Sequence, residues 1–438
     1  MEKRKVRVGV LGAGRGTSMM QYCYKADNAE LVAICDRDQG KLDHMKELFP
    51  GEHITYYTNY EEMLKHDMDV VVLANFSTQH APFAIKAMES GINVISELMP
   101  FQHMKEAVEL IETVERTGRI YCYAENYCYM ESPWEMKRLY QAGEIGTLEY
   151  AEGEYVHDRE HIAAGTIDFE RNPLYNWYAN YYGSHAIGPI IHITGMRPVK
   201  VTGYELPFSS RNARMALKSG NAAVEMIEME NGTFFKAYHG QASATSIFYE
   251  VYGSKGRMES ERVMVEGDYA RRMYLESYAE EGRYDQLKID YYYPQDELSE
   301  KAKGFGFSGA DYRMMWHMME KMLGNPKADT IDVYEAADMF LPCLFGYRSV
   351  LQGGIPLEIP NLRDPAEREK WRKDTACFEP EEAGDMLLPS YSKGEIVIED
   401  SVYEHIKEQH RKGKHGLLDV GLPRRNIMLK MKEEGKLW

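Results

Sequence analysis

The run Gly9-Val10-Leu11-Gly12-Ala13-Gly14-Arg15-Gly16-Thr17 joins a β-rich segment, Val6 to Leu11, to a helical stretch through Met19 to Tyr24. Residues of these types at this spacing suit phosphate chemistry. Gly12 and Gly14 fit the first two positions of a dinucleotide fingerprint, where the backbone turns tightly and approaches a pyrophosphate at a helix N-terminus. The third glycine position holds Thr17, with Gly16 just before it, and Arg15 lies inside the loop. Asp36 ends the next strand at the distance expected of an acid that accepts hydrogen bonds from the adenosine ribose and repels a 2′-phosphate. The combination predicts NAD rather than NADP, although Arg37, next in the chain, keeps a contact to a phosphate open. Further polar residues follow the carboxyl ends of other strands, where open α/β sheets bind ligands. They are the stretch Asn75 to His80, Glu97, and Glu125-Asn126. Each alone reads as a cap or a surface residue; together at one sheet edge they read as a site.

The elements that must position these groups are legible from pattern. Leu31 to Cys35, Asp69 to Ala74, Asn93 to Ser96 and Ile120 to Ala124 are apolar runs without alternation. Helical stretches separate them: Lys41 to Phe49, Ala81 to Ser90 with Gly91 as its stop, and Met104 to Thr117 before Gly118. Such strands form a parallel sheet covered on both faces, so residues 1–125 are expected to be a doubly wound Rossmann domain. After Asn126 the texture changes. A helix, Pro133 to Ala142, precedes longer, alternating strands at Thr147 to His157, Val199 to Glu205, Ala222 to Glu230, Thr233 to Tyr238 and Phe248 to Tyr252. Glu230-Asn231-Gly232-Thr233 is a hairpin signal. Residues 126–360 therefore read as an α+β domain with an open, mostly antiparallel sheet, closed by helices at Ala310 to Leu323 and Val333 to Gln352. Residues 361–438 are charged, and read as an extension that wraps over the domains or packs poorly.

Composition narrows the partners. The 438 residues carry 52 Lys+Arg against 69 Asp+Glu, a net charge of −17, which disfavours nucleic acid and anionic membranes. Hydrophobic residues at 44% and charged residues at 28% exclude a disordered chain. Cys23, Cys35, Cys122, Cys128, Cys343 and Cys377 are scattered, and the basic N-terminal tip runs straight into a strand. These features suggest a reducing compartment and no export signal, hence a cytoplasmic protein. His103, His161 and His239 lack metal-ligand spacing, so no metal is expected.

The glycine-loop unit, Asp36, the Ala74-to-His80 turn, Gly91-x-x-Val94-x-x-Glu97 and Gly143-x-Ile145-Gly146 resemble the Gfo/Idh/MocA oxidoreductase superfamily. The resemblance implies two domains, NAD or NADP, and action on sugars or cyclitols. Dehydrogenases of that superfamily carry Glu-Lys-Pro after the fourth strand and an Asp-x-x-x-His pair later. This chain has Glu97-Leu98-Met99-Pro100, with Ala186 and Ile190 in the paired positions. A narrower likeness fits better. Ala124-Glu125-Asn126-Tyr127-Cys128-Tyr129, Glu152-Gly153-Glu154-Tyr155-Val156-His157-Asp158 and Tyr182-Gly183-Ser184-His185-Ala186-Ile187-Gly188-Pro189 resemble motifs of the NAD-dependent α-N-acetylgalactosaminidases, glycoside hydrolase family 109. That resemblance implies Glu125, Tyr155, Tyr182 and His185 around a sugar. It implies a glycosidase working by transient oxidation at C3, elimination between C1 and C2, water addition and re-reduction. Such a route needs a base near C2 rather than the paired carboxylates of ordinary glycosidases. A net sugar or cyclitol dehydrogenase and a non-catalytic NAD- or sugar-binding regulator remain the alternatives. The resemblance also implies a homo-oligomer paired through the open sheet. His157 and Asp158 read either as a structural pair or as part of the site, and His192 as a packed histidine.

Overall fold

The computed structural model describes residues 4–160, 163, 173–242, 244–262, 271–411, 430, 431 and 434; His161 and most of the segment after 411 lie outside them. The chain divides into two compact units. The first comprises Met1–Tyr129, Gln295–Phe340 and Pro360–Ala376; the second comprises Met130–Pro294, Leu341–Ile359 and Cys377–Trp438.

The first unit is built on β1 (Val6–Leu11), β2 (Ala29–Cys35), β3 (Thr55–Tyr57), β4 (Val70–Leu73), β5 (Asn93–Ser96) and β6 (Tyr121–Tyr123). Their order is β3-β2-β1-β4-β5-β6, and every pairing is parallel. This is the doubly wound arrangement anticipated from the apolar runs, with β3 as the sixth strand. All four residues of β4 are fully buried, each worth about 1.5–3 kcal/mol of transfer free energy. The helix Met104–Thr117 begins at His103, whose side chain accepts the Glu106 N–H, and ends at Gly118 with a left-handed φ of 62°. The Ala310–Met322 helix and the Pro360–Ala376 segment belong to this unit. In the latter, Arg372 makes a forked ion pair with Glu112.

The second unit carries a nine-stranded sheet: β7 (Leu148–Val156), β8 (Pro198–Glu205), β9 (Ala222–Met229), β10 (Phe234–Gly240), β11 (Ser246–Gly253), β12 (Gly256–Ser260), β13 (Met273–Tyr278), β14 (Leu287–Tyr292) and β15 (Leu357–Glu358). The order is β14-β13-β12-β11-β7-β10-β9-β8-β15. All neighbours run antiparallel except β7 and β10. The expected hairpin joins β9 and β10, with Gly232 at φ 83° in its turn. Besides the two-residue β15, three strands, β12 to β14, were not anticipated. Their charged and tyrosine-rich alternation, as in MYLESY, lacks the aliphatic content that marks a strand in sequence.

One face of this sheet is covered by the Ser184–Thr194 helix, whose first ten residues are all buried. The helix approaches β7 closely at Gly153, where an added Cβ would lie 1.9 Å from the Ala186 carbonyl oxygen. The described chain from 377 to 406 packs within this unit. Tyr347 donates to the Pro389 carbonyl, Ser390 to the Asn176 carbonyl, and Ile406 joins a cluster with Tyr175 and Met215. All six cysteines are buried. Among the described residues no helix is long and apolar enough to cross a membrane.

Candidate active site

In the first unit the glycine loop leaves β1 and enters the Thr17–Lys25 helix. Gly12 holds φ 99°, and a Cβ there would stand 2.3 Å from the Ala74 carbonyl oxygen. Gly16, rather than position 17, supplies the close helix–strand contact, since a Cβ on it would meet Gly12 O at 2.2 Å and Val10 Cγ1 at 2.8 Å. Gly14 is different. It is exposed, and a Cβ on it would meet nothing within 4 Å. No intramolecular contact requires a glycine there, whereas a pyrophosphate lying against the backbone would. The helix has no side-chain N-cap, so its positive end stays available to an anion.

Asp36 ends this side of the cradle. Its Oδ2 accepts the Ala13 N–H at 2.8 Å and its Oδ1 the Asp38 N–H at 2.9 Å. The carboxylate is thereby fixed with lone pairs left for ribose hydroxyls. Arg37 stacks over the Phe76 ring at 4.9 Å. After β4, the Asn75 amide and Ser77 hydroxyl are buried with no hydrogen-bond partner. His80 is buried too. Its Nδ1 lies 2.9 Å from the Met99 carbonyl, so Nδ1 carries the proton and Nε2 is a bare, unpartnered acceptor. Burial pushes its pKa down to about 4, which keeps the ring neutral. A glycine cradle, an oriented carboxylate and orphaned buried polar atoms at one sheet edge fit a dinucleotide.

Arg15, Glu97 and Asn126 are brought together by a residue the sequence reading did not single out. The Arg15 guanidinium forks onto Asp311 at 2.7 and 2.8 Å, while its Nε lies 2.9 Å from Glu97 Oε1. Asn126 Nδ2 donates to Asp311 Oδ1 at 2.9 Å, and Ser18 also donates to Asp311. Asp311 lies 296 residues from Arg15, in the first turn of its helix, and only packing reveals it. Glu125 follows β6 fully buried, with Oε1 accepting the Tyr127 N–H at 3.3 Å.

In the second unit Tyr155, Tyr182 and His185 form one cluster. Tyr155 lies near the end of β7. Gly153, two residues earlier, lets the start of the Ser184–Thr194 helix settle on the strand, and this brings the His185 ring edge-on to Tyr155 at 4.6 Å. His185 Nε2 is 3.1 Å from the Tyr182 hydroxyl. The Tyr155 hydroxyl is 2.9 Å from His157 Nδ1. His157 and Asp158, just past the end of β7, take separate partners, Asp158 being held by Arg211. His192 is buried in the last turn of the Ser184–Thr194 helix, with Lys137 Nζ 2.9 Å from its Nε2. A cavity beside the cluster is lined by Tyr155, Trp177, Tyr182, Asn221, His239 and Gln241, among others. No charged side chain lines it among the described residues. Also among them, no group of three or more His, Cys, Asp or Glu could hold a metal ion.

Comparison with known proteins gives two family matches. Residues 6–125 match the NAD-binding Rossmann-fold family of Gfo/Idh/MocA oxidoreductases, and residues 134–372 match the C-terminal domain of glycosyl hydrolase 109. A glycosyl hydrolase family 109 protein of Solibacter usitatus is 26% identical over 408 residues, covering 84% of this chain and 89% of that protein. Among solved structures, an Agrobacterium radiobacter oxidoreductase in complex with NAD+, L-tartaric acid and magnesium matches with TM-score 0.65 at 15% identity, over 81% of this chain and 98% of that one. Myo-inositol 2-dehydrogenase from Lactobacillus plantarum matches with TM-score 0.60 at 19% identity, over 81% and 100% of the two chains.

Proposed function

From the premise that this chain belongs to glycosyl hydrolase family 109 and carries the Gfo/Idh/MocA NAD-binding domain, we propose that it hydrolyses a glycoside without net redox change. It is an enzyme with an NAD-type cofactor and a small-molecule substrate. The observation that carries the hydrolytic reading is the Tyr155–His157 contact, beside a cavity with no carboxylate pair among its described walls. Ordinary glycosidases need two carboxyl groups flanking the bond. A tyrosine–histidine cluster instead suits removal of a carbon-bound proton.

Gly12, Gly14, Gly16, Asp36, Asn75 and His80 would hold the cofactor, with Arg15, Glu97 and Asn126 fixed beside the loop through Asp311. Bound nicotinamide supplies a reversible oxidant for the sugar C3. The remaining steps are proton transfers. His185 Nε2, reached through the Tyr182 hydroxyl, takes the proton of the C3 hydroxyl. With a ketone at C3, the C2 hydrogen becomes acidic. Tyr155 Oη removes it while His157 Nδ1 holds the phenolic proton, and the aglycone leaves C1. Water then adds its hydroxyl at C1, Tyr155 returns the proton to C2, and His185 returns its proton to the C3 oxygen as the ketone is reduced again, so the sugar leaves with no net redox change.

The test is incubation with p-nitrophenyl α- and β-glycosides in deuterated water, with and without added NAD. Phenol release, deuterium at C2 and no accumulating NADH are expected. NADH accumulation with the glycosidic bond intact would make the enzyme a net sugar dehydrogenase instead.

A further inference from the structure

One buried pair in the second unit has no part in these proton transfers. His239 lies on β10, register partner of Tyr155 on β7, and is 0% exposed. Its Nε2 is 2.8 Å from Oε2 of Glu225 on the adjacent strand β9, also 0% exposed. The other oxygen, Oε1, accepts Asn180 Nδ2 at 2.5 Å. An ionised carboxylate only accepts, so the proton of a neutral His239 sits on Nε2 and leaves a lone pair on Nδ1. That Nδ1 is buried and has no hydrogen-bond partner. Three further atoms of residues lining the same cavity share this condition, Gln241 Oε1, Trp177 Nε1 and Tyr178 Oη. Trp177 stacks on Tyr182, ring centroids 5.3 Å apart at 30°, which extends an aromatic wall. Orphaned buried polar atoms are costly and call for a hydrogen-bonding partner. Here they comprise two acceptors, one donor and a hydroxyl that can do either, beside an aromatic surface, with no charge among the described walls. An uncharged, hydroxyl-bearing sugar ring offers both donors and acceptors to such atoms and an apolar C–H face to the aromatic wall. A carboxylate, sulfate or phosphate on the sugar would find no countercharge among the described walls.

We propose that His239 is a substrate-binding residue that accepts a sugar hydroxyl at Nδ1, and that Glu225, anchored by Asn180, is the positioning residue that fixes its tautomer. The proposal rests on the glycoside reading above and narrows it to uncharged sugars.

The test uses the full chain loaded with NAD. Calorimetry measures binding of the methyl α- and β-glycosides of galactose, glucose and N-acetylgalactosamine, and of the corresponding methyl galacturonides and glucuronides, whether or not they are cleaved. We expect at least one neutral glycoside to bind and its uronide to bind at least about tenfold more weakly. His239→Phe should weaken the neutral glycoside by about tenfold, the loss of one buried hydrogen bond. Where turnover is seen, the effect should fall on KM rather than kcat. The second readout needs no variant: in ¹⁵N-histidine-labelled protein the His239 resonances should report a protonated Nε2 and a bare Nδ1. Glu225→Gln should shift that tautomer balance. Equal binding of the uronide, unchanged affinity in His239→Phe, or a protonated Nδ1 in the unmodified protein would each overturn the proposal. His239-dependent binding without cleavage would leave it standing and remove the hydrolytic reading. Cleavage with His239 indifferent would do the reverse.

Discussion

A phenol in water has pKa ~10, so a tyrosine base at neutral pH depends on what takes its proton. The 2.9 Å contact from Tyr155 to His157 Nδ1 supplies that partner. Tyr155→Phe should lower kcat by ~10²–10⁴, the range for loss of a general base, with little change in KM. His157→Gln should lower kcat less and alter the acid limb of the kcat–pH profile; an unchanged profile would assign Tyr155 another activator. Asp36 tests cofactor choice at the same scale. Asp36→Ala removes both the ribose acceptor and the repulsion of a 2′-phosphate, so NAD should bind about tenfold more weakly while the penalty against NADP shrinks. Equilibrium titration of both cofactors checks this. Asp36 was legible because a fixed number of residues separates it from the glycine loop. Asp311 was not, because its pairing with Arg15 spans 296 positions and no local pattern marks it. His157 stood in a recognised motif, yet its partnership with Tyr155 depends on rotamers at a strand end.

Elements were easier to read than contacts, for a physical reason. Buried parallel strands such as Val70–Leu73 must be apolar on both faces, and helices such as Met104–Thr117 carry their stop signals in sequence. The strands β12 to β14 follow no such rule, and they escaped notice. The Ser184–Thr194 helix is uniformly buried, so it shows no polar face to betray its period. What sets its place is Gly153. A Cβ 1.9 Å from the Ala186 carbonyl cannot be accommodated without moving the helix start, which carries His185. Gly153→Ala should therefore destabilise the chain by about 1–3 kcal/mol, as overpacking does, and should reduce kcat by moving His185 off Tyr155. Urea unfolding and steady-state kinetics measure the two effects. By contrast Gly14→Ala meets no protein atom within 4 Å, so it should leave the unfolding midpoint of the NAD-free chain nearly unchanged while weakening NAD binding.

The whole molecule answers to pH through groups that fold into the wrong environment for a charge. His80 was legible as a polar residue at the sheet edge, but its buried neutral state follows only from packing. An unfolded histidine, with pKa ~6.5, takes up a proton that folded His80 refuses until the pH reaches about 4. Between those values the unfolded chain binds more protons, so stability falls as pH is lowered through that window. The full cost is about 3 kcal/mol, accrued at about 1.4 kcal/mol per pH unit. Two other effects have different signatures. Burial works to raise the Asp296 pKa, but the Arg313 guanidinium overrides it, and the net shift is downward. A depressed carboxyl contributes stability that is lost only as pH falls below its unfolded value of ~3.9, beneath the histidine window. The net charge of −17 acts oppositely, since titrating carboxylates relieves self-repulsion. His80→Gln, which keeps a polar side chain and cannot charge, isolates the term. The difference in unfolding free energy between the parent chain and this variant should be flat above pH 7. It should then move in the variant's favour by about 1.4 kcal/mol per unit from pH 6 to pH 4.5. A difference that stays flat across that range would mean that His80 is already free to protonate in the folded enzyme, and that its Nε2 is not the neutral acceptor offered to the cofactor.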